Sequence, residues 1–212
     1  MTAVAAKLSS RDTRRQAILD IAREVFMAEG YAAASMSTIA ARLGGSKGTL
    51  YNYFRSKEEL LIAVIGSEVE AEAEAAFAVE SEAVDLPATL RNLGLRVLTF
   101  LTSDKVLSIH RLVIAEAERF PDLARMIYEV GPKRRVAGLT AFFEHAMETG
   151  QLRDAEPQRA AEHFLALCRA GLHDRSLWNL AEKPSPADIG ANVDAAVDMF
   201  MAAYGAGHAS GA

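Results

Sequence analysis

SMSTIAARLGGSKGTLYNYF, residues 35–54, is the stretch whose reading decides the fold. Ser35 is a good helix N-cap, and Ile39, Ala40 and Leu43 recur at the spacing that gives a short helix one buried side. Gly44-Gly45 supplies a turn. Ser46 caps a second short helix, with Leu50 and Phe54 facing inward and Lys47, Gly48 and Thr49 at its start. Helix, tight turn, helix, with small polar and basic residues opening the second helix, is the layout of a DNA-binding helix-turn-helix. In that motif the second helix enters the major groove with its N-terminal residues on base edges.

Upstream, Ile18, Ile21, Ala22, Val25 and Phe26 share one helix face, which predicts a helix over about 11–29 that Gly30 stops before a connection begins at Tyr31. Downstream, Ser56-Lys57-Glu58-Glu59 reads as a capping box opening a long helix to Ser81. Its Ala- and Glu-rich part, Glu68–Glu82, reads as a solvated face that should point away from a duplex. Further amphipathic helices follow over Leu86–Thr102 and Asp104–Phe120, with Pro121 at the first position of another turn. Gly131-Pro132 breaks the pattern before Lys133–Glu148. Pro157–Leu180 reads as one long helix, and Pro184-Ser185-Pro186 separates it from a last helix, Pro186–Tyr204. No strand alternation and no internal repeat is visible, so the expected fold class is all-α. The tail 205–212 lacks apolar residues for a core and is expected to be disordered.

Half of the 212 residues are apolar, enough to bury a substantial core. The net charge is −5, but its distribution is uneven: residues 1–60 hold nine Lys or Arg against six acids, and the remainder holds fourteen against twenty-two. A basic N-terminal module on an acidic body suits docking of one end onto phosphate. The single cysteine, Cys168, excludes an intrachain disulfide and fits a reducing compartment, so the expected location is the cytoplasm. Met1–Leu8 has no signal-peptide core, and no apolar run is long enough for a membrane span. No nucleophile–base pair, Gly-rich phosphate loop or metal motif appears, so neither an enzyme nor a cofactor is expected. Glu144, His145 and Glu148 lie close on one helix but have no convergent second pair to make a metal site.

Residues 12–72 resemble the DNA-binding domain of the tetracycline-repressor (TetR/AcrR) family of bacterial transcription regulators. The resemblance rests on Ile18-Leu19-Asp20-Ile21-Ala22 with Phe26, Gly30-Tyr31, Ile39-Ala40, the run Ser46–Phe54, and Ser56-Lys57-Glu58-Glu59-Leu60. Gly45 departs from the family pattern, standing where an apolar residue usually packs the turn. Residues 73–204 look like the family's C-terminal helical ligand-binding and dimerisation domain. The segment Arg111–Leu123 is similar to the AefR-type subgroup.

The resemblance implies a homodimer, paired through the last two helices, on a roughly palindromic double-stranded operator. It further implies a repressor released by a small, mostly apolar ligand. A DNA-binding protein controlled by a protein partner, or activated by a corepressor, is the alternative. Ser35 and Ser37, at a helix start, are candidates for phosphate contact. Tyr51 and Tyr53 join them by resemblance, and Lys57 adds charge. Ser46, Lys47, Gly48, Thr49 and Asn52 are candidates for reading bases, Gly48 by leaving the backbone free to approach. Phe100, His110, Met126, Phe142, Phe143, Met147, Phe164, Cys168, His173 and Trp178 are candidates for the ligand pocket, though for each of them ordinary helix core or dimer seam is the more common role of such a residue.

Overall fold

Periodic apolar runs become helices throughout the computed structural model, which describes residues 10–79, 85–180 and 182–207. Among the described residues no strand forms, and one isolated bridge pairs Leu152 with Gly205. The chain divides into two compact units: Met1–Glu68 with Leu112–Ala124, and Val69–Arg111 with Arg125–Ala212.

The first unit opens with α1 (Ser10–Ala33), whose helical backbone is interrupted at Gly30 (φ 75°, ψ 165°). It continues through α2 (Met36–Arg42), α3 (Lys47–Tyr51) and the start of α4 (Lys57–Phe77). Ile18, Phe26, Tyr31, Ile39, Leu50, Phe54, Leu60 and Leu61 are almost wholly buried. Burial of each such side chain contributes about 1.5–3 kcal/mol before the entropy of ordering is set against it. The unit is not contiguous in sequence. The Phe120 ring meets Tyr31 edge-on at 4.9 Å, and the Glu116 carboxylate accepts the Ala32 N–H at 3.1 Å. Those two contacts explain why a segment far down the chain packs with residues 10–68.

The second unit contains α5 (Leu86–Leu101), α7 (Pro121–Val130) beyond residue 124, α8 (Pro132–Glu148), α9 (Pro157–Arg169), α10 (Leu172–Leu177) and α11 (Pro186–Tyr204). It also holds the first part of α6 (Asp104–Ala117) and the last part of α4. Leu90, Leu93, Val97, Phe143, Phe164, Cys168, Val193 and Phe200 form its centre. Here α5 comes very close to its neighbours at Gly94. A methyl there would sit 2.7 Å from Val193 Cγ1 and 3.2 Å from Cys168 Sγ, so only glycine lets α5, α9 and α11 pack at this distance.

The structure differs from the sequence expectation at several places. Pro157–Leu180 is two helices, because Ala170 turns extended (ψ 122°) and Gly171 takes a positive φ (77°). The acidic helix ends at Phe77, and Glu80–Glu82 lie outside the described residues. The acids before that end are engaged. Glu70 pairs with Arg134 at 2.9 Å and Arg135 at 2.7 Å, and Glu72 with Lys105 at 2.7 Å. At the C-terminus, Gly205 is buried and donates to the Met201 carbonyl, while 208–212 lie outside the described residues, as do 1–9. Among the described residues no helix is long and apolar enough to cross a membrane.

Candidate nucleic-acid interface and ligand site

The turn between α2 and α3 is built from backbone hydrogen bonds. The Gly44 N–H donates to Ala41 O and the Gly45 N–H to Ala40 O, both at 3.1 Å, with Gly44 at φ 66°. This is the Schellman pattern, in which the residue after the C-cap adopts the left-handed region and the next one reaches back across the last turn. That pattern usually carries an apolar side chain at the second position. Gly45 has none, and the Arg14 guanidinium occupies the space instead, 3.3 Å from where a Cβ would stand.

The caps form as the sequence predicts. Ser35 Oγ accepts the Thr38 N–H at 3.0 Å, and Ser46 Oγ accepts the Thr49 N–H at 3.1 Å. The Thr49 hydroxyl lies 2.9 Å from Ser46 Oγ, so its methyl is the free part of that side chain. Ser37, Ser46, Lys47, Gly48, Tyr51 and Asn52 are exposed, and Ser35, Thr49 and Tyr53 are half-buried. Lys47 Nζ stands 5.8 Å from the Tyr51 ring centre, so the ammonium and the phenol lie together on one outward surface.

Gly48 occupies a helix position where glycine costs about 1 kcal/mol relative to alanine. Among the described residues nothing requires it, since a Cβ there would meet no atom nearer than Ser46 Oγ at 3.7 Å.

Lys57 is turned inward, contrary to its expected place on phosphate. Its ammonium donates to Tyr31 O at 2.8 Å and Ala34 O at 3.0 Å, and it lies 4.1 Å from the Tyr31 ring centre. The reason is local: carbonyls at the broken end of α1 lack helical partners, and an ammonium satisfies two of them. Burial lowers the Lys57 pKa from its ordinary value. Beside it, the Tyr31 hydroxyl donates to Glu58 at 2.5 Å. Burial and then that bond raise the tyrosine's pKa, while the bond lowers the carboxyl's. The capping box at α4 forms with an offset. Ser56 Oγ accepts the Glu59 N–H, but Glu59 reaches back to the Arg55 N–H. This cluster of Tyr31, Lys57, Glu58, Glu116 and Phe120 is the part of the unit that sequence reasoning missed. Its members are up to about ninety residues apart, and no local pattern joins them.

In the second unit the structure separates the pocket candidates. Phe143, Phe164 and Cys168 are fully buried in the packed core, with Phe200 5.1 Å from Phe143 and 5.4 Å from Phe164. Phe142 is buried against Phe143, and Met147 packs on the edge of that core. Trp178 is 74% exposed and Met126 44% exposed. All these side chains look pocket-like in sequence because an apolar ring in a core and one in a pocket have the same composition. Burial raises the Cys168 thiol to about 12, so it is not a reactive thiolate. Phe100 meets Phe77 edge-on at 6.3 Å. His110 and His173 come together, with ring centres 5.6 Å apart. Among the described residues no three His, Cys, Asp or Glu side chains are placed to hold a metal ion.

Residues 18–64 match the family profile of bacterial regulatory proteins of the tetR family, and residues 88–206 match that of the AefR-like transcriptional repressor C-terminal domain. The HTH-type transcriptional regulator TtgR of Pseudomonas putida is 30% identical over 169 residues, covering 76% of this chain and 78% of TtgR. The HTH-type transcriptional activator FasR of Mycolicibacterium smegmatis is 50% identical over 60 residues, 28% of this chain and 27% of FasR. The chain spans about a quarter of the length of the first curated relatives it matches. Among solved structures, the flavonoid-responsive regulator FrrA superposes with a TM-score of 0.82 at 30% identity, covering 91% of this chain and 97% of FrrA. A TetR transcriptional regulator from Agrobacterium tumefaciens gives 0.69 at 28% identity, covering 93% and 96%. The chain belongs to the TetR family of transcriptional regulators: it carries a helix-turn-helix DNA-binding domain and an AefR-like C-terminal domain, and it is not an enzyme.

Proposed function

We propose that this TetR-family regulator acts as a homodimer, paired through α9 and α11, that represses transcription from a palindromic operator and leaves it when a small, mostly apolar ligand binds the C-terminal domain. Gly48 is the observation that carries the DNA-contact reading. It is a helix residue with no internal reason to be glycine, placed among exposed Lys47, Tyr51 and Asn52, which is what close approach of the backbone to another molecule requires. In this reading Ser46, Lys47, Gly48, Thr49 and Asn52 face base edges, and Ser35, Ser37, Tyr51 and Tyr53 hold phosphates. The N-terminal module occupies 12–72 and the ligand and dimer domain 73–204.

Release follows from covalent continuity. Both α4 and α6 begin in one compact unit and end in the other. A ligand that favours one setting of these helices changes the spacing of two DNA-binding heads, and by linkage DNA weakens ligand binding by the same factor. FrrA, similar over nearly its whole length, is flavonoid-responsive, which supports a small-molecule signal. The activator FasR is similar over its matched 60 residues only, so it bears on DNA contact and not on the sign of regulation.

The test is selection of native genomic fragments by the purified, ligand-free protein, read by sequencing. Enrichment of one palindrome, with half-sites one helical turn of about 10 base pairs or a multiple apart, is the expected result. No enrichment at moderate salt overturns the ligand-released repressor and leaves the corepressor reading.

A further inference from the structure

The basic residues of the first unit are not equally available to a partner. Arg42 is held by Glu29 at 3.0 Å and Arg23 by Glu68 at 3.5 Å, and Lys57 is committed to two backbone carbonyls. Arg15 lies over the Phe54 ring, 5.3 Å from its centre. Arg14, one residue earlier on α1, differs from all of these. Its side chain is half-buried, and its guanidinium stands against the turn, 3.3 Å from where a Gly45 Cβ would be. Among the described residues no carboxylate and no hydrogen-bond acceptor engages it. A guanidinium stays charged throughout the working pH range, and one that is partly desolvated without an acceptor carries an uncompensated cost.

Gly45 makes this placement possible. It is outside the positive-φ region, so the backbone does not demand glycine there. A Schellman turn ordinarily carries an apolar side chain at this position, and that side chain would fill the space the guanidinium takes. The chain gives up a packing contact and keeps a charge in its place. Gly45 directly precedes Ser46, the N-cap of α3, so the charge stands at the entry to the helix that bears exposed Lys47 and Gly48. The missing partner must accept several N–H bonds and carry negative charge. A phosphate does both, and the planar fork of arginine matches its oxygens two at a time.

We propose that Arg14 is a further DNA-backbone contact, seated by Gly45, whose guanidinium holds a duplex phosphate beside the start of α3. The proposal rests on the reading that α3 faces DNA, and it supplies from α1 the cation that Lys57 withholds. It also gives the glycine at position 45 a function: the seat must be empty of a side chain for the arginine to occupy it.

The experiment is fluorescence anisotropy of the full chain on a labelled duplex of mixed sequence and on the genomic fragments that the parent retains, from about 50 to 200 mM KCl. Arg14→Gln is expected to weaken binding to both by a similar factor, about tenfold at the lowest salt. The slope of log affinity against log salt should fall by about 1 for each bound head, because one fewer counterion is released and a phosphate contact carries no sequence information. Arg14→Lys should keep the slope. Gly45→Val should melt no lower than the parent and yet lose affinity and slope as Arg14→Gln does, since its branched stem occupies the seat. That variant changes no charge, so the test does not depend on one substitution. Lys133→Gln, which removes a surface cation of the second unit, should leave the slope unchanged. An unchanged slope for Arg14→Gln overturns the proposal even where affinity falls, because that pattern marks a residue that only props the turn. A loss confined to one sequence, a Gly45→Val protein with the parent's slope, or an equal drop for Lys133→Gln overturns it too. A parent that binds the DNA while the Arg14→Gln slope is unmoved rejects this contact alone, and a parent that binds neither DNA rejects the functional reading with it.

Discussion

The adjacent glycines of the helix-turn-helix should respond in opposite directions to the same substitution. Gly44 sits at φ 66° and supplies the left-handed step of the Schellman turn. An L-residue pays about 1–2 kcal/mol for that conformation, offset in part by about 0.4–1 kcal/mol from a less flexible unfolded chain. Gly44→Ala should therefore destabilise by about 1 kcal/mol. Gly45 is outside the positive-φ region, and among the described residues its new methyl would meet only the far end of Arg14 at 3.3 Å and Leu43 Cδ2 at 3.9 Å. A guanidinium on a flexible stem moves a few tenths of an ångström at little cost. Gly45→Ala should therefore stabilise by about 0.5 kcal/mol, through the unfolded chain and through partial restoration of the apolar contact that a Schellman turn normally makes. In a chain of this size 1 kcal/mol corresponds to about 2–4 °C in Tm, so melts followed by circular dichroism should separate the two variants by several degrees around the parent. Operator affinity should fall for Gly44→Ala, since the turn sets the direction of Lys47–Tyr51, and hold for Gly45→Ala. Shifts of the same sign, or a Gly45→Ala protein less stable than the parent, would refute the account of Arg14 as a movable filler.

Gly94→Ala should cost about 1–3 kcal/mol in urea denaturation, because the methyl overlaps Val193. Combining it with Val193→Ala should recover part of that loss, and strict additivity would show that the clash is absorbed elsewhere. The His110 imidazole, faced by His173 and Arg169 with Asp174 beyond, has a folded pKa of about 4 against 6.5 unfolded. The unfolded chain then binds more protons between those values. Its contribution is fully present above pH 6.5 and is lost as pH falls toward 4, amounting to about 2 kcal/mol by pH 5. His110→Phe should flatten the stability profile between pH 7 and 5, and an unchanged slope counts against a buried neutral ring. Tyr51→Phe should weaken binding to every DNA sequence by a similar factor in a fluorescence anisotropy series. Thr49→Ala should instead change the order of preference among operator variants, and a uniform loss would assign Thr49 to phosphate.

What could be read in the sequence is what local chemistry decides. Ser35, Ser46 and Gly44 act within three or four residues of themselves, so the helix-turn-helix was legible down to its caps. The break at Gly171 was not, because His173 and Ser176 continue the buried face beyond it and the periodicity runs on through the gap. Lys57 shows the limit most clearly. In sequence it is a cation at a helix start beside a DNA-binding motif, and phosphate is the natural partner. In the fold it lies beside two carbonyls left open where α1 breaks at Gly30, and those are already in place before any duplex arrives. A partner fixed by folding wins over one that must be brought from solution, since no association entropy is lost. Gly48 is the converse case. Its methyl would fit among the described residues and its helix would gain, which is why the proposed DNA contact rests on it. An exposed residue that folding does not need is a stronger pointer to function than a charge that folding can use.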